Sequence, residues 1–481
     1  MSAPYGPPPG PYGPPPGPYG PPAGSPGPAP PPGPPPPAPT PPEPPRFHEG
    51  VHRLHPVTAL LRAFVFLLVY FVLIGFSLLV TPKEDGYAFF EPEAVRRFAA
   101  VSIPAVIAAV AAGVWGWLGL RFWIAGDDLA VETGVLRKRR RLIPLSRIQA
   151  IDIVRPLMTR LTGLAELRVE LAGGAESGVV LRYLGRRSAQ RLRAELLARA
   201  AGLPGHTPEA PEQRFWRVPL GVLVAALSSR MPVIGTALLL GLLLMVGFTY
   251  LEPGVLGGAV PALLGLISAV IAPAIVYGRF TVAISPDGLR LRYGLLETRM
   301  QTVPPGRVQA VAIVEPLLWR QRRWARVDAT VAGYAGERQA QSTVLLPVAP
   351  REVAVALVTH IFPGADVDAV PLLPASGRGL SLDRFAAAGT DEVVFVARRG
   401  LLCRRTTVIA HARTQSVRLT SGPLRRLLRL GTVHVDAPSG PVRVVAADRE
   451  LGESRAIVES VAERARRARS RAGADPARWA R

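Results

Sequence analysis

Gly134-Val-Leu-Arg-Lys-Arg-Arg-Arg-Leu-Ile-Pro-Leu-Ser-Arg-Ile-Gln149 decides how this chain is built, because the pattern is written three times. It returns as Gly294-Leu-Leu-Glu-Thr-Arg-Met-Gln-Thr-Val-Pro-Pro-Gly-Arg-Val-Gln309 and as Gly400-Leu-Leu-Cys-Arg-Arg-Thr-Thr-Val-Ile-Ala-His-Ala-Arg-Thr-Gln415. In every copy the arginine stands 13 positions after the glycine, and the glutamine follows two later. The first two copies also match outside this stretch. Val154-Arg-Pro-Leu157 corresponds to Val314-Glu-Pro-Leu317, Arg160 to Arg320 and Ala172-Gly173 to Ala332-Gly333, all at an offset of 160. The third copy lies only 106 residues beyond the second. The missing 54 residues are about one hydrophobic hairpin with its flanks.

Such hairpins precede the first two copies. Four apolar runs, Val57–Val80, Phe98–Leu120, Pro232–Tyr250 and Val255–Tyr277, each have the length of a bilayer-spanning helix. A buried soluble helix does not ordinarily stay uncharged on every face for so long. Arginines flank the outer ends of both pairs: Arg46, Arg53 and Arg62, Arg121 and the 137–141 run, Arg214, Arg217 and Arg230, and Arg279. The tip from 81 to 97 carries 3 basic against 4 acidic residues. The positive-inside rule therefore predicts both termini and all three copies on the cytoplasmic side of a bacterial inner membrane.

After each hairpin the pattern turns to short alternating strands with turn signals such as Gly126-Asp-Asp128 and Ser285-Pro-Asp-Gly288. Each copy then ends in a helical stretch, 188–201, 351–361 and 449–471. The expected fold class is α-helical membrane hairpins plus β: four transmembrane helices in two hairpins, with three β-barrel or sandwich modules each closed by a C-terminal helix. Along the chain this gives a Pro/Gly/Tyr-rich tail (1–45), a first hairpin (46–120, spans 57–80 and 98–120) and a first module (121–203). A linker (204–231), a second hairpin (232–278, spans 232–250 and 255–277) and a second module (279–365) follow. The rest is a linker (366–390), a divergent third module (391–472) and a short tail (473–481). The tail holds 25 prolines in its 45 residues, leaving almost nothing to bury, so it is expected to be disordered and polyproline-like.

Composition narrows the chemistry. The net charge of +22 rests on 55 Arg and 2 Lys, so nearly all of it is fixed. One cysteine, Cys403, excludes an internal disulfide framework and a cysteine-based zinc site, and no histidine pair stands beside a glutamate at metal-ligand spacing. Nucleophile-elbow, phosphate-loop and metalloprotease patterns are missing. No Asp, Glu, Lys or His interrupts the spans, so the polar groups that ion or proton transport requires are not there. No catalytic residue, metal or cofactor is expected.

With these motifs in view, the chain resembles the bacterial pleckstrin-homology (PH-like) domain membrane proteins, in their multi-copy, four-span form. The resemblance rests on the hairpin, the Gly-Leu-Leu strand, the segment Leu142-Ile-Pro-Leu-Ser-Arg-Ile-Gln-Ala-Ile151 and the late Ala-Gly-Gly, over roughly 46–470. The second copy departs at Thr302-Val-Pro-Pro-Gly306, and in the third Ala410 replaces the proline of positions 144 and 304. The resemblance implies a PH-like barrel capped by a helix and a non-enzymatic role at the membrane.

The run Arg137, Lys138, Arg139, Arg140 and Arg141 is the candidate contact for anionic phospholipid headgroups, standing about twenty residues beyond a span; it also serves as a topology signal. The copy-signature residues Gly134, Arg147, Gln149, Gly294, Arg307, Gln309, Gly400, Arg413 and Gln415 read as structural, with a ligand or partner contact as the alternative. Arg320, Arg322, Arg323 and Arg326, interleaved with Trp319 and Trp324, suit a headgroup zone better than nucleic acid in a membrane-tethered module. The C-terminal 464–471 cluster fits lipid, nucleic acid or an acidic partner. The functional expectation is a non-enzymatic scaffold or regulator at the inner membrane face, its partners being the membrane, anionic lipid and unidentified proteins. The alternative is an envelope-stress or antimicrobial-resistance factor acting through anionic lipid.

Overall fold

The computed structural model describes residues 52–53, 55–80, 92–171, 178–200, 211–250, 253–286, 288–304, 306–332, 344–376 and 385–473. The proline-rich tail, the first hairpin's tip and the Ala172-Gly173 and Gly333 positions lie outside them.

Helices occupy the apolar runs. The first hairpin is α1 (Val57–Val80) and α2 (Pro92–Leu118). Its helices meet through small residues: Ala59, Ala63 and Ala109 are buried, and a Cβ added to Gly113 would stand 2.3 Å from the Ala59 carbonyl oxygen. Close backbone approach through small side chains is how helices pack where no hydrophobic effect drives them together. Tyr70 and Ser102 add a hydroxyl–hydroxyl hydrogen bond of 3.3 Å.

A strand β1 (His52–Arg53) enters α1 and pairs with β2 (Leu120–Ala125), which leaves α2, so the hairpin's two open ends are stitched together. The meander continues through β3 (Asp128–Thr133) and β4 (Arg139–Pro144). A short 3₁₀ turn, Leu145–Arg147, leads to β5 (Ile148–Arg155), the short helix α3 (Leu157–Leu161), β6 (Leu164–Leu171), β7 (Val179–Gly185) and α4 (Arg186–Ala200).

Copy two repeats the plan. The stretch read as a linker carries β8 (Gln213–Arg217) and α5 (Leu220–Ser228), which precede the hairpin α6 (Met231–Tyr250) and α7 (Pro253–Tyr277). Then come β9 (Thr281–Ser285), β10 (Gly288–Tyr293), β11 (Thr298–Val303), β12 (Val308–Pro316), α8 (Leu317–Gln321), β13 (Trp324–Val331), β14 (Val344–Pro350) and α9 (Arg351–Ile361). Copy three, without a hairpin, runs β15 (Leu373–Pro374), β16 (Ala387–Thr390), β17 (Val394–Arg399) and β18 (Cys403–Ala410). It ends with β19 (Ser416–Thr420), α10 (Pro423–Leu427), β20 (Leu430–Asp436), β21 (Val444–Glu450) and α11 (Leu451–Gly473).

The sequence reading treats each copy as a unit, but the sheets do not stop at copy boundaries. The strand orders are β1-β2-β3-β4, then β7-β6-β5-β11-β10-β9-β8, then β14-β13-β12-β18-β17-β16-β15, then β19-β20-β21. The second half of one copy and the first half of the next thus form one antiparallel sheet. Ile153 stands opposite Met300 at the first joint and Ile313 opposite Thr406 at the second. These are equivalent positions, so both joints use one register.

Within a copy, the two half-sheets face each other across a core. In copy one Phe122, Leu129 and Ile143 pack against Ile151 and Leu167, with Leu192 and Leu196 of α4 in the same cluster. In copy three Phe395 and Ala397 meet Val433 and Val444, and Val461 of α11 joins them. Each copy is therefore layered within itself and hydrogen-bonded sideways to its neighbour.

Candidate membrane interface

The signature glycines make the tight turns between the third and fourth strands of each meander. Gly134, Gly294 and Gly400 have φ of +98°, +107° and +98°, and an added Cβ would fall 2.1, 1.8 and 2.0 Å from the carbonyl oxygens of Arg137, Glu297 and Cys403. Only glycine fits there. In the first two copies these turns rest on the ends of membrane helices. A Cβ on Gly119, just past α2, would meet Gly134 and Val135 at 3.1 Å. In copy two, Gly294 N–H donates to the Gly278 carbonyl (2.8 Å) and Leu295 N–H to that of Ile275 (2.9 Å).

The second and third turns are also tied to the preceding copy. Arg160 in α3 donates to the Leu295 carbonyl at 2.9 Å, and Arg320 in α8 donates to the Leu401 carbonyl at 2.6 Å. Both partners are repeat-equivalent, so one contact is made twice.

The arginine–tryptophan patch lies at the same level. The buried Trp319 indole donates to the Ala226 carbonyl (2.9 Å) and Ser229 Oγ (3.1 Å) at the end of α5, one turn before α6. Arg230 stacks over Trp319 at 5.9 Å, Arg322 over Trp324 at 5.1 Å and Arg326 over Tyr277 at 6.0 Å. Arg326 also donates to Asp328 at 2.6 Å, whereas Arg323 is exposed and holds only Glu352 at 3.6 Å. Most of the patch therefore binds the protein itself.

The run Arg137–Arg141 is exposed throughout. Arg137 and Lys138 lie in the turn, and Arg139, Arg140 and Arg141 lie on β4, the edge of its sheet. Lys138 reaches Glu132 at 3.6 Å and Arg140 covers Trp123 at 5.0 Å. Beside them Leu136 is 85% exposed at the tip of a turn that rests on α2.

The arginine–glutamine pairs do not converge. Arg147 is exposed on the 3₁₀ turn, and the Gln149 side chain lies outside the described residues. Gln309 donates to the Gly306 and Arg307 carbonyls, each at 3.2 Å, and the Arg307 carbonyl also accepts from Ala332 N–H at 2.8 Å. Arg413 lies against Gly306, where a Cβ would be 2.7 Å from its Nη2, while Gln415 is exposed and anchored by its backbone to Asp436. Of the C-terminal arginines, Arg466 and Arg467 hold Glu463, and Arg469 donates to the Thr414 carbonyl at 2.8 Å.

Sequence reasoning missed Asp152 and Arg193. Asp152 is half-buried on β5 beside the first joint, and desolvation, with Glu170 adding to it, pushes its carboxyl up to about 7 against the opposing pull of Arg193, Arg299 and Arg168. Arg193 of α4 donates to the Ile151 carbonyl at 3.3 Å and to Thr302 Oγ1 of the next copy. A lone arginine on a helix face carries no signal of this bridge. Among the described residues, no three His, Cys, Asp or Glu side chains converge as metal ligands.

Three of the described helices, over Ala99–Leu118, Met231–Tyr250 and Gly257–Tyr277, are long and apolar enough to cross a membrane. The family model for the bacterial PH domain matches residues 63–200, 224–364 and 382–467, which is most of the chain in three copies. The chain belongs to the bacterial PH domain family. It is also 23% identical over 332 residues to the UPF0699 transmembrane protein YdbT of Bacillus subtilis (strain 168), covering 62% of this chain and 66% of that relative's length, just under two thirds. This bacterial PH domain protein is a membrane protein with repeated PH-like modules on apolar helices.

Proposed function

We propose that the protein is a non-enzymatic scaffold that holds three PH-like copies as one array against the inner face of a bacterial membrane. In this reading four spans form two hairpins, both termini and all three copies are cytoplasmic, and the array offers binding surfaces to proteins and to anionic phospholipid. The domain layout is the one read from the sequence, the stretches read as linkers carrying β8 and α5 over 213–228 and β15 and β16 at 373–374 and 387–390. The observation that carries the proposal is the repeated joint. Shared sheets and the Arg160 and Arg320 ties fix the copies to one another, and the first two turns rest on helix ends. A fixed array raises the effective concentration of its surfaces for one partner beyond what flexible tethering gives.

Lipid contact falls to Arg137–Arg141, where exposed cations stand beside a membrane-proximal turn. Each such cation gains on the order of 1 kcal/mol from an anionic leaflet. The test is lipid co-purification with the full chain and with a variant carrying serine at 137–141, extracted at low and high salt. The account expects the parent to retain anionic phospholipid at low salt only and the variant to lose that selectivity. Identical lipid complements would refute the headgroup role. A stoichiometric protein co-purifying with both forms would support the scaffold alone.

A further inference from the structure

The third copy has no hairpin, yet its turn is held where the hairpin-bearing copies hold theirs. Arg320 grips the Leu401 carbonyl, and α8, which carries Arg320, is pinned through Trp319 to α5 directly before the span α6. The tip of this turn is apolar and uncovered: Leu401 and Leu402 are 50% and 57% exposed. In copy two the equivalent Leu295 instead packs onto Gly278 at the end of α7.

The short helix of copy three changes in the same sense. Where α8 places Trp319 against α5, α10 has Arg425, which turns inward to Asp448 at 3.0 Å. The helix then presents Leu424 at 65% and Leu427 at 80% exposure, with Arg426 and Arg429 exposed beside them. Leucines at a tip, rimmed by arginines whose aliphatic stems can lie along apolar surface, are the composition of an element that sits in the headgroup boundary.

We infer that copy three is a peripheral membrane anchor: its turn 400–403 and α10 dip into the lipid interface, replacing the hairpin it lacks. This rests on the membrane-array reading above, and the occupant is an anionic lipid surface. The geometry supplies its own ruler. The turn at 391–393 lies at the other end of β17, six residues and therefore roughly 20 Å from Leu402.

The experiment uses the full chain with Cys403→Ser, reconstituted in vesicles of neutral and anionic phospholipid containing a spin-labelled quencher lipid. A fluorophore is placed in turn at Leu402→Cys, Leu427→Cys, Leu296→Cys and Glu392→Cys. Position 296, on the turn that rests on α7, is the membrane-level reference. The inference predicts quenching at 402 and 427 comparable to that at 296 and several-fold stronger than at 392. Quenching at 296 with 402 no stronger than 392 would overturn it, including the case in which a protein surface shields 402 from lipid and aqueous quenchers alike. Absence of quenching at 296 as well would overturn the membrane-array reading on which it rests.

Discussion

The two joints between successive copies share a register and differ in their charges. Beside the first joint Asp152 of β5 stands opposite Arg168 of β6 in its own copy, with Arg193 of α4 acting on it from above the sheet. Beside the second joint the equivalent position is Ala312, opposite Asp328 of β13, and Val358 stands in α9 where Arg193 stands in α4. A half-buried acid and a buried base have been exchanged together for two apolar residues. The backbone ladder is thus what the repeat preserves, and the side chains beneath it are one of several ways to fill the same space. That agrees with the general finding that a buried ion pair can be replaced by packed apolar groups at little cost, while half of a pair is expensive.

The largest expected effect comes from putting half of the first joint into the second. Ala312→Asp would bury a carboxylate opposite Asp328 with no arginine above it, and should cost about 3–5 kcal/mol. Thermal unfolding of the purified chain would register this as a large fall in Tm, and adding Val358→Arg should restore part of it. An unchanged Tm would mean that the second joint is open to water.

Asp152 gives the next effect. Its carboxyl titrates at about 7 in the fold against 3.8 as an ordinary side chain. The folded state therefore holds the extra proton between these values, and stability contributed at low pH is lost as pH rises from 4 to 7. The slope is at most about 1.4 kcal/mol per pH unit. Asp152→Asn should flatten it and stabilise the chain at pH 8, and Tm measured against pH for both forms checks this. A parallel slope in the variant would remove Asp152 as its source.

Smaller and matched effects are expected from Arg160→Ala and Arg320→Ala, each losing one hydrogen bond to the next copy's turn, about 1 kcal/mol. Amide exchange should rise at 294–297 for the first and at 400–403 for the second. The smallest is Arg405→Ala. This residue reaches Asp328 at 3.6 Å with 31% of its side chain exposed, and its loss should cost under about 1 kcal/mol in the same unfolding assay.

Much of this was legible in the sequence. Long apolar runs with at most one charge could only be membrane-length helices, and three glycines, each 13 positions ahead of an arginine, marked three like turns. The sideways pairing of copies was not legible, for a physical reason. β4, β11 and β18 occupy equivalent repeat positions, so β5 would meet the same alternation whether it paired within its own copy or with the next. Pattern fixes which face a strand buries, not which of two equivalent edges it joins. The bridge over 213–228 was hidden differently. Arg214 and Arg217 drew attention as topology charges, while Trp216 between them pairs with Val282 in the ladder. At the candidate site, the exposed basic run stood out as a charge cluster, whereas the half-buried Asp152 looked like any polar residue in a strand.

That ambiguity can be settled by oxidative cross-linking in the full chain with Cys403→Ser. Arg155→Cys with Thr298→Cys joins opposite residues of β5 and β11. Arg155→Cys with Lys138→Cys joins the pair that the same register would bring together inside a single self-contained copy. The account predicts a disulfide-linked peptide, identified by mass spectrometry, in the first variant and none in the second. The reverse result would contradict the shared sheet, and with it the fixed array on which the proposed function stands.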